Sequence, residues 1–326
     1  MRRATLLGAT AILSLVGSAS GITRRTDVTD ATVKSLGDTF PSTGFIFTSA
    51  GGGGSGVLIA PQWILTAAHV VDTATDATVV FESDGLGGII FGTGYETNQI
   101  VIHPSYNPAN PLGGGNDLAL LHISGKTSSS SPPLPTPASL YTGTNEVGAQ
   151  VVMTGYGLQG TGAGHVNPLL GDFTRRGADN LISLRADQDP TILSQVYAGN
   201  TAIASTYLLS DFDDPPAVPQ GSDTNNAYYS ALDPLAREGS TAPGDSGGPV
   251  FANFGNGPQV IGLNTWIDGY FDGTDNASYG DIFATIRVSP FIGWINQVTG
   301  IPEPGSCSMV LMAALGALGA RHRKRA

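Results

Sequence analysis

Between residues 40 and 299 the chain repeats one pattern: short β-branched and apolar runs, each broken by Gly, Asn, Asp or Pro. Runs of four to eight such residues between turn formers read as strands of an all-β protein. Val57–Ala60, Ile64–Ala67, Ala77–Phe81, Ile100–His103 and Leu118–Ile123 fall in a first half. Gln150–Thr154, Val260–Trp266 and Ile282–Val288 fall in a second. The Ser/Pro-rich stretch 128–135 interrupts any ladder and reads as the connector between them. With 45 glycines, 21 prolines and 13% charged residues, composition agrees with a turn-rich β architecture. Near the end, Ser289 offers a cap and Pro290 the first position of a closing helix, with Gly300 just past its end. Phe291, Ile292, Ile295 and Val298 are expected to face the second half.

Within this frame one turn carries chemistry: Gly244-Asp245-Ser246-Gly247-Gly248-Pro249. A serine hydroxyl near neutral pH needs a base to take its proton. It also needs N–H donors aimed at the oxyanion that forms on a carbonyl. Glycines around Ser246 let the main chain turn sharply and approach a substrate. Upstream, Thr66-Ala67-Ala68-His69 places a histidine at the end of an apolar run. Asn116-Asp117 puts a carboxylate at the head of another. His69, Asp117 and Ser246 are thus candidates for base, orienter and nucleophile, in that chain order. His103, His122 and His165 have no partner motif and read as structural or exposed. No spacing suggests a zinc site.

These residues resemble the trypsin-like, chymotrypsin-fold serine endopeptidases. The likeness extends to Gly54–Ile59 before the histidine, His103-Pro104-Ser105-Tyr106-Asn107 before the aspartate, Gly155-Tyr156-Gly157, and Thr265-Trp266. It runs from about Phe40 to Thr299 and implies two six-stranded Greek-key barrels, about 40–126 and 138–299, with a short C-terminal helix. It implies an acyl-enzyme route to peptide hydrolysis without metal or organic cofactor. The N–H groups of Gly244 and Ser246 would form the oxyanion hole, and Thr265, Trp266 and Ile267 would pair with the substrate backbone. Ser240, six residues before the nucleophile, would floor the specificity pocket. A serine there disfavours basic P1 side chains, and Ile267 would narrow the slot toward small or aliphatic groups. The register of Asp281 is open, and one alignment puts its carboxylate near the pocket. Family positions often held by cysteine read Gly54, Val70 and Ala242, and the single cysteine is Cys307.

Two departures leave alternatives. In the family a freed N-terminal Ile or Val meets the aspartate before the serine, here Asp245. The partner of Asp245 is the amine of Gly21, or Arg24 or Arg25, or local backbone donors. The 89 positions from Gly157 to Ser246 imply an insertion. Its acidic run Asp211-Phe212-Asp213-Asp214 is expected to be a solvated or internally paired loop, with Ca²⁺ binding as the alternative.

The two ends read as addresses. Arg2-Arg3, an apolar stretch and Ser18-Ala19-Ser20 make residues 1–20 a secretory signal. Residues 21–39 follow as an N-terminal arm or propeptide. Residues 300–326 hold Pro302-Glu303-Pro304, a short apolar stretch and a basic end. That layout resembles the PEP-CTERM sorting signal of Gram-negative bacteria. It implies transient anchoring in the inner membrane, an exosortase-type processing enzyme, and release to the envelope or outside. Without both ends the chain keeps nine basic and 25 acidic residues, a net charge near −16. Such a charge disfavours nucleic acid and anionic membranes as partners. The expected partners are polypeptide substrates, and the expected state is a monomer. Two other readings stand beside the endopeptidase: a catalytically silent binding module of the envelope, and an esterase.

Overall fold

A computed structural model describes residues 22–81, 92–111, 113–163, 165–166, 173–215, 234–268 and 277–301. The expected secretory signal, Gly21, Cys307 and the sorting segment beyond Ile301 lie outside the described residues.

The first half is a closed barrel of β1 (Thr43–Thr48), β2 (Gly53–Ala60), β3 (Trp63–Thr66), β4 (Ala77–Val80), β5 (Tyr95–Ile102) and β6 (Ala119–Lys126). Hydrogen-bonded neighbours run β1-β2-β3-β6-β5-β4 and back to β1. Ile46, Leu58, Ile64, Val79, Leu121 and Ile123 fill its interior. Burying each such side chain contributes about 1.5–3 kcal/mol. No disulfide assists.

The second half holds β7 (Gln150–Gly155), β8 (Arg176–Leu181), β9 (Tyr207–Asp211), β10 (Pro249–Asn253), β11 (Pro258–Asp268) and β12 (Ile282–Arg287). They pair in the order β8-β7-β10-β11-β12-β9. Counted within each half, both rings follow the same sequence of neighbours, but the second has one open seam. Where β8 should pair with β9, the chain bends at Ile182–Ser183. Only Leu184–Arg185 then pairs, with Leu209 and Leu208. Asn180 spans the seam, its Nδ2 donating to the carbonyls of Asp211 at 2.8 Å and Gly239 at 2.9 Å.

β8 and β9 fall inside the stretch expected to be an insertion. Arg176, Asp179 and Asn180 mask the strand pattern of β8, because its polar groups are paired rather than solvated. Asp211, Asp213 and Asp214 are likewise buried, which decides the open expectation for this run in favour of internal pairing and against solvation. Among the described residues no cluster of His, Cys, Asp and Glu is arranged to hold a metal ion.

The arm is tied to the second half. α1 (Asp30–Asp38) begins at Thr29, whose hydroxyl accepts the Thr32 N–H. Asp30 pairs with the buried guanidinium of Arg176 at 2.7 Å. Arg175 donates to the Gly37 carbonyl at 2.8 Å. A Cβ on Gly37 would lie 2.8 Å from the Arg175 carbonyl oxygen, so only glycine admits this approach.

Ser289 does not cap the closing helix. Its hydroxyl donates to Glu146 at 2.8 Å, and Ser289–Phe291 form a 3₁₀ turn. Residues from Phe291 onward form a separate unit. It contains α3 (Ile292–Thr299), closed by Gly300 at φ +70°, whose N–H donates to the Asn296 carbonyl.

Candidate active site

β3 ends at Thr66, and after Ala67 the chain enters a one-turn helix, α2 (Ala68–Val71). His69 therefore lies in that turn and not on the strand itself. Asp117 precedes β6 by two residues, in a tight turn rather than at the strand's head. Asn116 takes φ +59°, a region asparagine tolerates, and the Leu118 N–H closes on the Asn116 carbonyl at 2.8 Å. This turn brings the fully buried Asp117 carboxylate against His69. Oδ2 meets Nδ1 at 2.7 Å, and Oδ1 accepts the His69 backbone N–H at 2.9 Å. The two contacts fix the ring's direction and place a proton on Nδ1, leaving Nε2 as the acceptor. Burial opposes a charged ring, but the charge and hydrogen bond of Asp117 outweigh it, so the His69 pKa is raised above the ordinary histidine value.

The Ser246 turn is pressed onto the same place. Ser55 N–H donates to the Ser246 carbonyl at 2.8 Å, and Gly247 N–H donates to that of Asn264 at 2.8 Å. Gly247 takes φ +77°, and a Cβ there would lie 2.2 Å from Thr66 Oγ1 and 2.8 Å from the Ala67 nitrogen. The turn thus seats on the strand end that leads into His69. Ser246 is half-buried. Among the described residues its hydroxyl makes no hydrogen bond, and no protein acceptor takes the N–H of Gly244 or Ser246. Two backbone donors beside a serine hydroxyl suit an incoming oxyanion.

Asp245 is fully buried beneath the turn. It accepts from the backbone N–H groups of Ile22 at 2.9 Å, Gly157 at 2.8 Å and Ala242 at 2.8 Å. Of the open alternatives, neither arginine serves it: Arg25 engages Asp27 and the Leu235 carbonyl. The arm does reach Asp245, but through Ile22, one residue later than Gly21. Desolvation pushes the carboxyl up to about 6 despite those donors.

The expected substrate-binding residues lie on β11 and on the strand that meets the arm. β11 pairs with β10 only as far as Leu263, and Asn264 N–H then bonds the Gly248 carbonyl at 2.8 Å. From Thr265 to Ile267 it keeps β12 on one side, with a bulge at Thr265, while its other edge has no strand among the described residues. An open edge of this kind accepts an extended peptide. Thr265 Oγ1 donates to the Ala284 carbonyl at 2.9 Å, and Trp266 is nearly buried. Ser240 is fully buried, paired with Thr23 of the arm. Asp281 accepts from the N–H and hydroxyl of Ser278.

Sequence reasoning overlooked Ile22, whose signal was a β-branched residue directly after a run of small ones. It also passed over Asp72 and Tyr106. The Tyr106 hydroxyl donates to Asp72 Oδ2 at 2.9 Å, next to the histidine turn.

Comparison with known proteins finds relatives along most of the chain. A trypsin from Phaedon cochleariae is 26% identical over 260 residues, 76% of this chain and 78% of that protein. Human granzyme M is 24% identical over 250 residues, 75% of this chain and 79% of that protein. An inactive CLIP domain-containing serine protease A3 of Aedes aegypti is 24% identical, and the chain spans 46% of its length. An HL collagenase solved at 1.7 Å resolution shares the fold with a TM-score of 0.54 and 20% identity, over 89% of this chain and all of that one. The family model described as Trypsin matches residues 34–172 and 217–295, and on that match the chain belongs to the trypsin family.

Proposed function

We propose that the chain is an exported serine endopeptidase acting through an acyl-enzyme. The observation that carries this reading is the His69–Asp117 pair beside a serine turn with two uncommitted backbone N–H groups. Ser246 Oγ attacks the scissile carbonyl while His69 Nε2 takes its proton. The tetrahedral oxyanion rests on the N–H groups of Gly244 and Ser246. Collapse passes the proton to the leaving amine, and water then repeats the sequence on the acyl-enzyme. Asp117 stabilises the transient imidazolium throughout. The peptide adds to the Thr265–Ile267 edge as a strand, and Ile267 above the Ser240 floor selects small or aliphatic P1 groups. After export the chain is retained at the inner membrane by residues 300–326 and released by an exosortase-type enzyme to the Gram-negative envelope or outside.

Incubation with a fluorophosphonate probe and a peptide library tests the reading. Labelling of Ser246 with cleavage after small or aliphatic residues is expected. Labelling without peptide cleavage overturns it in favour of an esterase. No labelling overturns both, leaving a silent binding module.

A further inference from the structure

The catalytic histidine has a second carboxylate beside it. α2 is a single turn, and Asp72 caps its C-terminal end three residues after His69. Residues three apart on a helix share a face, so the Asp72 carboxylate and the imidazole are neighbours. Asp72 is held in place from outside its own element. The Tyr106 hydroxyl donates to its Oδ2 at 2.9 Å. Tyr106 is itself fixed, because its N–H bonds the His103 carbonyl at 2.9 Å and its ring packs on the core of the first barrel. An aspartate on a surface turn with no structural duty would not need a half-buried tyrosine to hold it.

We propose that Asp72, oriented by Tyr106, is a positioning residue that supports the imidazolium form of His69 during turnover. The inference rests on the reading of His69 as general base. Asp117 grips the ring directly at Nδ1, whereas Asp72 acts through its field from the solvent-facing side of α2. Its negative charge favours the charged ring, in the same direction as Asp117. The other titratable groups nearby do not duplicate this. His103 accepts the Ser105 N–H at 3.3 Å through Nδ1, and burial holds its pKa below the ordinary value. Tyr106 and the buried Tyr207 stay neutral, since burial, the largest cause, and the Asp117 charge both push them far above the usual tyrosine value. Asp117 and Asp72 are therefore the two anions that act on His69, and only Asp72 can be neutralised without breaking the Nδ1 bond.

The test compares the full chain with Asp72→Asn, Asp72→Glu and Tyr106→Phe. The acid limb of the kcat/KM profile reports the ionisation of His69 in free enzyme. With Asp72→Asn the limb should move down by about half a pH unit while the plateau kcat falls several-fold, because less charge supports the imidazolium. Asp72→Glu should restore the limb, and Tyr106→Phe should give an intermediate shift. The Nδ1 proton of His69, followed by NMR, should show the same displacement with no substrate present. That readout separates the two ideas. Failure of the fluorophosphonate to label Ser246 sinks the endopeptidase reading, whereas an unmoved NMR midpoint in Asp72→Asn overturns the role of Asp72. A folded Asp72→Asn protein with lowered kcat but unmoved midpoint and limb also overturns it, since that pattern marks a merely structural effect.

Discussion

At the scale of single residues, the site depends on how few contacts Asp117 has. Its two bonds among the described residues both come from His69, one from the ring and one from the main chain. Thr265 on β11 turns its hydroxyl to the Ala284 carbonyl and not to Asp117. Orientation of the imidazole therefore rests on one carboxylate. Asp117→Asn keeps the shape but offers an amide donor to Nδ1, which selects the wrong tautomer. A fall in kcat of about 10⁴ is expected, with little change in KM, measured on a small ester and a peptide. Gly54 and Val70 give a second residue-scale prediction. A Cβ built on Gly54 would lie 2.9 Å from both γ-carbons of Val70, close to the spacing of a β-carbon and the far sulfur of a disulfide. The double variant Gly54→Cys, Val70→Cys should oxidise spontaneously and raise stability by up to about 3 kcal/mol, less whatever the Ser246 carbonyl, also 2.9 Å away, takes back. A reducing-agent-sensitive rise in Tm checks it. His69, Asp117 and Ser246 could be found in the sequence because each sits in a short motif. Asp72 and Tyr106 could not, because they lie 34 residues apart and no local pattern marks them, and the β-branched Ile22 gave no hint of a partner 223 residues away.

At the scale of elements, the second barrel shows where strand reading fails. β7, β11 and β12 carry apolar alternation and were legible. β8 and β9 were not, because a buried arginine, an asparagine and an aspartate occupy positions where the pattern calls for apolar side chains. Their polarity is consumed by the open seam, by α1 and by the root of the insertion. Glu238 stands at that root. Its carboxylate accepts the N–H of Asp213 at 2.8 Å and of Leu235 at 2.6 Å, joining the two chain segments that bound residues 216–233. Burial pushes it up to about 7, against the pull of those donors. The folded protein therefore holds this proton more tightly than the unfolded chain does. The penalty is absent below about pH 4.5 and grows as pH rises to 7, reaching about 3 kcal/mol at most. Asp245 and His69, both raised, slope the same way. Tm should accordingly fall between pH 5 and 7.5, and Glu238→Gln should flatten part of that fall. A profile that rises over this range would refute the clamp's assigned ionisation. On the other side of β8, Asp30→Asn should loosen α1. It replaces a charge-assisted pairing with the buried Arg176 by a neutral one, a loss of about 1.5 kcal/mol in denaturant titration.

At the scale of the molecule, the arm links the outermost described residue to the centre of the site. The Ile22 nitrogen lies 2.9 Å from Asp245, and Thr23 pairs with Ser240, so the arm, the serine turn and the strand of Ser240 form one assembly. Ile22 takes φ +70°, a strained value for a β-branched residue attached to a preceding peptide. Hydrolysis of the Gly21–Ile22 bond abolishes that torsion and with it the strain. The same cleavage turns a neutral amide N–H into an ammonium with an ordinary pKa near 8, placed beside a buried carboxylate. The raised pKa of Asp245 would then be reversed, since an adjacent cation favours the ionised form. The resulting ion pair anchors the loop whose N–H groups serve the oxyanion. A preparation beginning at Ile22 should therefore exceed one that retains Gly21 by about 10²–10³ in kcat, the scale of a lost oxyanion donor. Acetylation of the Ile22 amine should abolish the gain, and activity should decline as pH rises through the ammonium pKa. Equal kcat in the two preparations would mean that the uncut amide already suffices, and that the three backbone donors alone hold Asp245. In that case the serine turn is formed from the start, and cleavage at Gly21–Ile22 is not needed to shape it.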